Sequence, residues 1–158
     1  NVITFTQPQT TKGILLIGKL PIYSRNKKKS RLVEVLLDTG STTSFIDTEL
    51  AKELSCNEIN IDPVQIKTFG NDQPSKIQTT KAQILIKSTN DTDIVIELIR
   101  YDKVRQPYQM ARLTNDDLKV IADNNLNVLS SFTTSNDVTY TTPRILLGTD
   151  YLWPLMNT

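Results

Sequence analysis

The segment Leu36-Leu37-Asp38-Thr39-Gly40-Ser41 sets a carboxylate, two hydroxyls and a glycine on a turn at the end of an apolar run. That run, Leu32-Val33-Glu34-Val35-Leu36-Leu37, reads as a strand entering the interior. A carboxylate delivered there is costly unless it is hydrogen-bonded or partly protonated. Asp38 is therefore a candidate for chemistry rather than decoration. Gly40 suits a backbone conformation that a β-carbon penalises, and the hydroxyls of Thr39 and Ser41 can satisfy local backbone groups. The chain has no histidine and one cysteine, Cys56. Ser-His and Cys-His nucleophile pairs, histidine metal ligands and an internal disulfide are thereby excluded. Acid–base chemistry must come from carboxylates, Lys, Tyr or bound water. No metal site and no cofactor are expected. Cys56, at the end of a helical stretch, reads as a small core residue.

The elements that must position Asp38 are short and mostly extended. A buried strand is expected over 13–17 and a basic hairpin tip over 24–30, read as a solvated turn. The strand into Asp38 returns over 31–37. Asp47 can cap a helix over 48–55, with Leu50, Ala51 and Leu54 on one face. Alternation over 64–68, turn residues over 69–74 and a second run over 76–86 predict a long hairpin. A turn over 90–93 leads to a strand over 94–99. Thr114 and Asp117 form a capping-box pattern for a helix ending at Asp123. Residues 101–140 form an insert to which the sequence assigns no role. A last core strand is expected over 140–147. Asp150 can then cap a short helix over 151–153, interrupted near Pro154.

At 158 residues the chain suits one domain, 1–158, large enough for a core. Its 38% hydrophobic and 22% charged content is that of a soluble globular protein. A net charge of +1 gives no reason to expect nucleic acid. No apolar run reaches membrane-span length and no secretory signal is present, so no membrane association is expected. A start at Asn1 rather than Met fits a fragment or a processed product of a polyprotein.

Two motifs carry a family resemblance. Leu36-Leu37-Asp38-Thr39-Gly40-Ser41 resembles the catalytic loop of aspartic peptidases, and Ile145-Leu146-Leu147-Gly148-Thr149-Asp150 resembles the second signature of retropepsins. With Ser44-Phe45-Ile46-Asp47, Glu49-Leu50-Ala51, Leu54 and Tyr151-Leu152-Trp153, the chain is similar to the peptidase domain of Bel/Pao-type LTR retrotransposons. The resemblance implies a mainly β fold, a retropepsin-like closed β-barrel with one or two short helices, acting as a symmetric homodimer. It implies an aspartic endopeptidase that processes a Gag-Pol-like polyprotein, in the cytoplasm or within intracellular virus-like particles. Asp38, Thr39 and Gly40 would be catalytic. Ser41, Thr42, Phe45, Arg144 and Leu146 would bind substrate, together with Phe69, Gly70 and Asn71 at the tip of a flap over about 64–86. Arg144 would then favour acidic or polar substrate positions.

Two departures stand out. Retroviral members commonly pair an Asp two residues after the motif glycine with an Arg just after the C-terminal glycine. Thr42 and Thr149 occupy those positions here, which predicts a hydroxyl contact in place of the ion pair. The flap tip also has a single glycine, Gly70. A catalytically silent retropepsin-like dimer, serving as an interaction or assembly module, is the alternative reading. A sugar-kinase or actin-type phosphate loop also resembles 37–43, but that fold needs two large lobes for which 158 residues do not suffice.

Overall fold

The computed structural model describes residues 2–5, 15–68, 72–127 and 131–157. The chain is mainly β, with a few short helices. After β1 (Val2–Phe5), apolar alternation builds β2 (Leu16–Tyr23), which turns at Ser24–Lys29 and returns as β3 (Ser30–Leu37). Asp38 follows at once. Beyond its loop come β4 (Phe45–Ile46) and α1 (Thr48–Glu53). The helix begins where Asp47 accepts a hydrogen bond from the Leu50 N–H at 3.2 Å, as an N-cap should. Leu50, Ala51 and Leu54 all point into the core.

Next come β5 (Asn57–Asn60), β6 (Val64–Thr68), β7 (Ser75–Ile77), β8 (Thr80–Lys87) and β9 (Asp93–Arg100). The hairpin expected over 64–86 divides. β7 pairs with β6, Val64 opposite Ile77, while β8 leaves after Thr79 to pair with β9 and β5. The cause is burial: Ala82, Ile84 and Ile86 of β8 lie in the main core, and that gain draws the strand away from the hairpin. β1 lies parallel to β6 within the same chain, Val2 opposite Gln65. The tip residues Phe69, Gly70 and Asn71 lie outside the described residues.

The insert holds β10 (Tyr108–Gln109), β11 (Ala111–Arg112), α2 (Asn115–Asp123), β12 (Phe132–Thr133) and β13 (Tyr140–Thr141). Thr114 and Asp117 make the reciprocal capping box that starts α2. The last core strand is shorter than expected. β13 stops at Thr141, Pro143 withholds a backbone donor, and β14 (Ile145–Leu147) resumes pairing. α3 (Thr149–Met156) then runs through Pro154 instead of breaking there, and its N-cap is Gly148 rather than Asp150.

The main sheet has the order β2-β3-β14-β4-β9-β8-β5, and β2 also meets β8 through Tyr23 and Leu85, so the pairing leads back to β2. At its centre β14 lies between β3 and β4, parallel to one and antiparallel to the other. The loop carrying Asp38 therefore bridges a strand that comes from the far end of the chain. Successive side chains of a strand point to opposite faces, and both faces here are apolar. Val33, Val35, Ile46, Ile145 and Leu147 pack beneath α1. Leu36, Phe45, Ile99 and Leu146 pack on the other side with Ile66 of the hairpin and with Tyr101, Val104 and Tyr108 of the insert. Each such side chain contributes about 1.5–3 kcal/mol when fully buried, which is what holds the central strands rigid under Asp38. Cys56 lies part-buried against the first cluster, as a packing residue would, and burial pushes its thiol up to about 11.

Candidate active site

Asp38 begins where β3 ends, and the C-terminal motif holds it there. Its N–H donates to the Leu147 carbonyl at 2.9 Å, extending the β3–β14 ladder by one step. Its side chain then turns back on the loop, where the Gly40 N–H donates to Oδ1 at 2.8 Å. The other oxygen, Oδ2, is buried with no hydrogen-bond partner. Burial pushes the carboxyl above the ordinary aspartate value of 3.8, against the opposing backbone N–H groups of Gly40 and Ser41. An acid with one oxygen anchored and the other desolvated is poised to share or exchange a proton.

The loop is clasped from the other end of the chain. Thr149 N–H donates to the Ser41 carbonyl at 2.9 Å, and Gly148 N–H donates to Ser44 Oγ at 2.9 Å. Ser44 in turn donates through Oγ and N–H to the two carboxylate oxygens of Asp150, at 2.5 and 3.1 Å. A β-carbon on Gly148 would stand 2.7 Å from the carbonyl oxygens of both Ser41 and Thr43. Only glycine admits so close an approach. The contact predicted between Thr42 and Thr149 is thus replaced by Ser44 and Asp150, two residues to the C-terminal side of Thr42 and one beyond Thr149. Asp150 Oδ1 also accepts the Tyr151 N–H at 3.0 Å, but the N-cap position of α3 is held by Gly148.

The remaining expected site residues fall into three groups. Thr39, Gly40 and Thr42 lie exposed on the loop, around Asp38. Ser41 is fully buried, and its Oγ donates to the Thr43 carbonyl at 2.7 Å. Phe45 and Leu146 are in the core, at 0% and 2% exposure, and the Phe45 ring stands 5.7 Å from that of Tyr101. Arg144 is committed within the chain. Nε and Nη2 donate to Asp47 Oδ2 at 3.1 and 2.9 Å, and Nη1 and Nη2 donate to Glu53 at 3.2 and 2.8 Å. Its guanidinium welds the approach to β14 onto α1 and faces acids of its own chain rather than open solvent. Phe69, Gly70 and Asn71 are outside the described residues.

Residues 101–140 bring one group that sequence reasoning did not assign to the site. Tyr108 is 4% exposed in the cluster containing Leu36 and Leu146. Burial, and next the charge of Asp38, push its phenol up to about 12. Nothing in the spacing of the sequence links positions 108 and 38. A groove of about 800 Å³ also opens beside the loop, lined by Thr42, Thr43, Pro63, Glu97 and Tyr151 among others. Asp38 is not part of its lining. Among the described residues, no group of three or more His, Cys, Asp or Glu side chains is placed to hold a metal ion. None of the described helices is long and apolar enough to cross a membrane.

A family model described as "Putative peptidase (DUF1758)" matches residues 22–157. The chain belongs to that family. The match takes in the Asp38 loop, the insert with Tyr108, and the Gly148–Asp150 clasp. No curated protein and no solved structure matches the chain.

Proposed function

We propose that the chain is an aspartic endopeptidase of retropepsin type, working as a homodimer with one Asp38 from each subunit. The observation that carries this reading is Asp38 itself: strand-borne, held through Oδ1, and buried at Oδ2 without a partner. Three further features support it. The family is described as "Putative peptidase", the two end motifs interlock around the loop, and the main sheet's pairing returns to its first strand as a closed barrel requires.

The chemistry needs two carboxylates. Side by side, two ionised acids repel, so the pair keeps one proton and one negative charge over a wide pH range; aspartic proteases are the standard case of this pattern. The ionised member takes a proton from water, and that water attacks the scissile carbonyl. The protonated member donates to the carbonyl oxygen as negative charge develops there, and a proton then passes to the leaving amine. No acyl-enzyme forms. The sequence has one Asp-Thr-Gly and no Asp-Ser-Gly, so the second acid comes from a second copy related by a two-fold axis. Exposed Thr39 and Gly40 flank the position where the copies meet, and the β6–β7 hairpin serves as the flap. The substrate in this reading is a Gag-Pol-like polyprotein within intracellular particles.

Screening a peptide library with wild type and Asp38→Asn tests the assignment. Cleavage by wild type that is lost in the variant and blocked by pepstatin supports it. Equal behaviour of the two proteins, with neither cleaving while both remain dimeric, favours the silent assembly module instead.

A further inference from the structure

We infer that Tyr108, carried on the insert, is a positioning residue that shields one side of the Asp38 carboxyl from water and so sets the pH range in which that acid works. This deepens the peptidase reading and rests on it for its catalytic consequence.

The insert is fastened close to the acid. β10 and β13 pair with Tyr108 opposite Thr141. Thr141 Oγ1 donates to Glu34 Oε2, and the Thr142 N–H donates to the same oxygen at 3.1 Å. Glu34 lies on β3, the strand that ends at Asp38. The ribbon is thus tied to the very strand that presents the acid. From there Tyr108 enters the cluster of Leu36 and Leu146. Leu36 is two residues before Asp38, and Leu146 precedes the carbonyl that receives the Asp38 N–H.

The Gly40 N–H serves Oδ1, whereas Oδ2 is buried without a partner. Leu36 and Asp38, two residues apart, point to the same side of the strand, and Tyr108 is buried in the cluster on that side with Leu36 and Leu146; the charge of Asp38, after burial, also raises the phenol. On β9 and the start of the insert, Glu97 accepts from Gln83, Arg100 pairs with Glu58 and Asp102 accepts from Thr48, while Lys103 and Arg105 are exposed. Glu34 holds Thr141 and Thr142, Arg144 holds Asp47 and Glu53, and Asp150 holds Ser44. What acts on Asp38 is burial, opposed by the backbone N–H groups of Gly40 and Ser41. A wall of carbon and ring, rather than an ion pair, is what Tyr108 supplies.

The test is a carbon-13 titration of the Asp38 carboxyl in the full chain, at matched concentration, for wild type, Tyr108→Phe and Tyr108→Ala. The phenylalanine variant keeps the ring and is expected to keep the wild-type midpoint. The alanine variant is expected to fall toward 3.8, as a desolvated acid does when water returns. An alanine midpoint equal to wild type overturns the inference. Should Tyr108→Ala fail to fold, Tyr108→Leu replaces it, with a smaller shift of the same sign expected and no shift counting against. Where cleavage is measured, the acid limb of the kcat/KM profile follows the same shift. A midpoint shift in a chain that cleaves nothing sinks the peptidase reading but upholds this one. Asp38-dependent cleavage with an unmoved midpoint sinks this inference alone.

Discussion

Ser44 Oγ donates to Asp150 Oδ1 at 2.5 Å across 106 positions of sequence, and the Ser44 N–H donates to the other carboxylate oxygen. Ser44 also receives the Gly148 N–H. This small network fastens the loop bearing Asp38 to the start of α3, where the family resemblance led us to expect a contact between Thr42 and Thr149. Removing a carboxylate that serves buried donors leaves them unsatisfied, at a cost of about 1–3 kcal/mol. Asp150→Ala is therefore expected to lower the unfolding free energy by that amount in urea titrations. Asp150→Asn, which keeps one acceptor, is expected to recover part of the loss.

Gly148→Ala tests the same clasp from the backbone. The new β-carbon meets carbonyl oxygens at 2.7 Å, and neither can swing aside as a flexible side chain would. Overpacking of this kind costs about 1–3 kcal/mol. The variant is expected to melt several degrees lower and to lose cleavage out of proportion to its loss of folded protein, because the Asp38 loop is what must move.

Asp38 makes a prediction about stability against pH. Its folded value lies above 3.8, so the folded state binds the proton more tightly than the unfolded state. Its contribution is most favourable below 3.8 and turns against folding as pH rises through the raised folded value. Asp38→Asn, which carries no charge, is expected to gain on wild type across that rise and then hold the gain. Denaturation midpoints measured from pH 3 to pH 8 check the sign. A gap between the two proteins that closes as pH rises contradicts it.

Arg144 was expected to meet the substrate, and the structure gives it two acids of its own chain. Asp47 is 4% exposed and caps α1. Breaking a buried pair by removing one partner costs about 3 kcal/mol or more. Arg144→Ala is thus expected to act on stability first, with little change in preference between acidic and basic peptides. Glu53 adds a pH signature. The Arg144 hydrogen bond is the main cause holding its carboxyl below 4.5, so this contribution is present above 4.5 and lost as pH falls through the lower folded value. The variant is expected to lack that acid-side loss when the two proteins are unfolded at pH 7 and pH 3.

Local rules carried much of this fold. Asp47 as a cap, the Thr114–Asp117 box, the turn over 24–29 and the strand into Asp38 all follow from residues within a few positions of one another. What lay beyond the sequence has one physical origin. The division of the hairpin at Thr79, the acids that hold Arg144, the Ser44–Asp150 tie and the entry of Tyr108 into the cluster of Leu36 and Leu146 all depend on which distant strands pair. That choice is made by burial on both faces of β3, β14 and β4. Apolar periodicity shows that a residue is buried but not what it is buried against. Phe45 and Leu146 illustrate the point: their apolar character marks them as buried, and only the fold shows the cluster they pack in.

A mixing experiment tests the central claim most directly. Wild type is held at fixed concentration and cleavage is followed as Asp38→Asn protein is added in excess, with time for subunits to exchange. If each active centre draws one acid from each of two copies, mixed dimers are inactive and the rate collapses toward zero as the variant comes to outnumber wild type. A rate that stays constant whatever the excess of variant would show that one chain cleaves by itself, and would contradict the account.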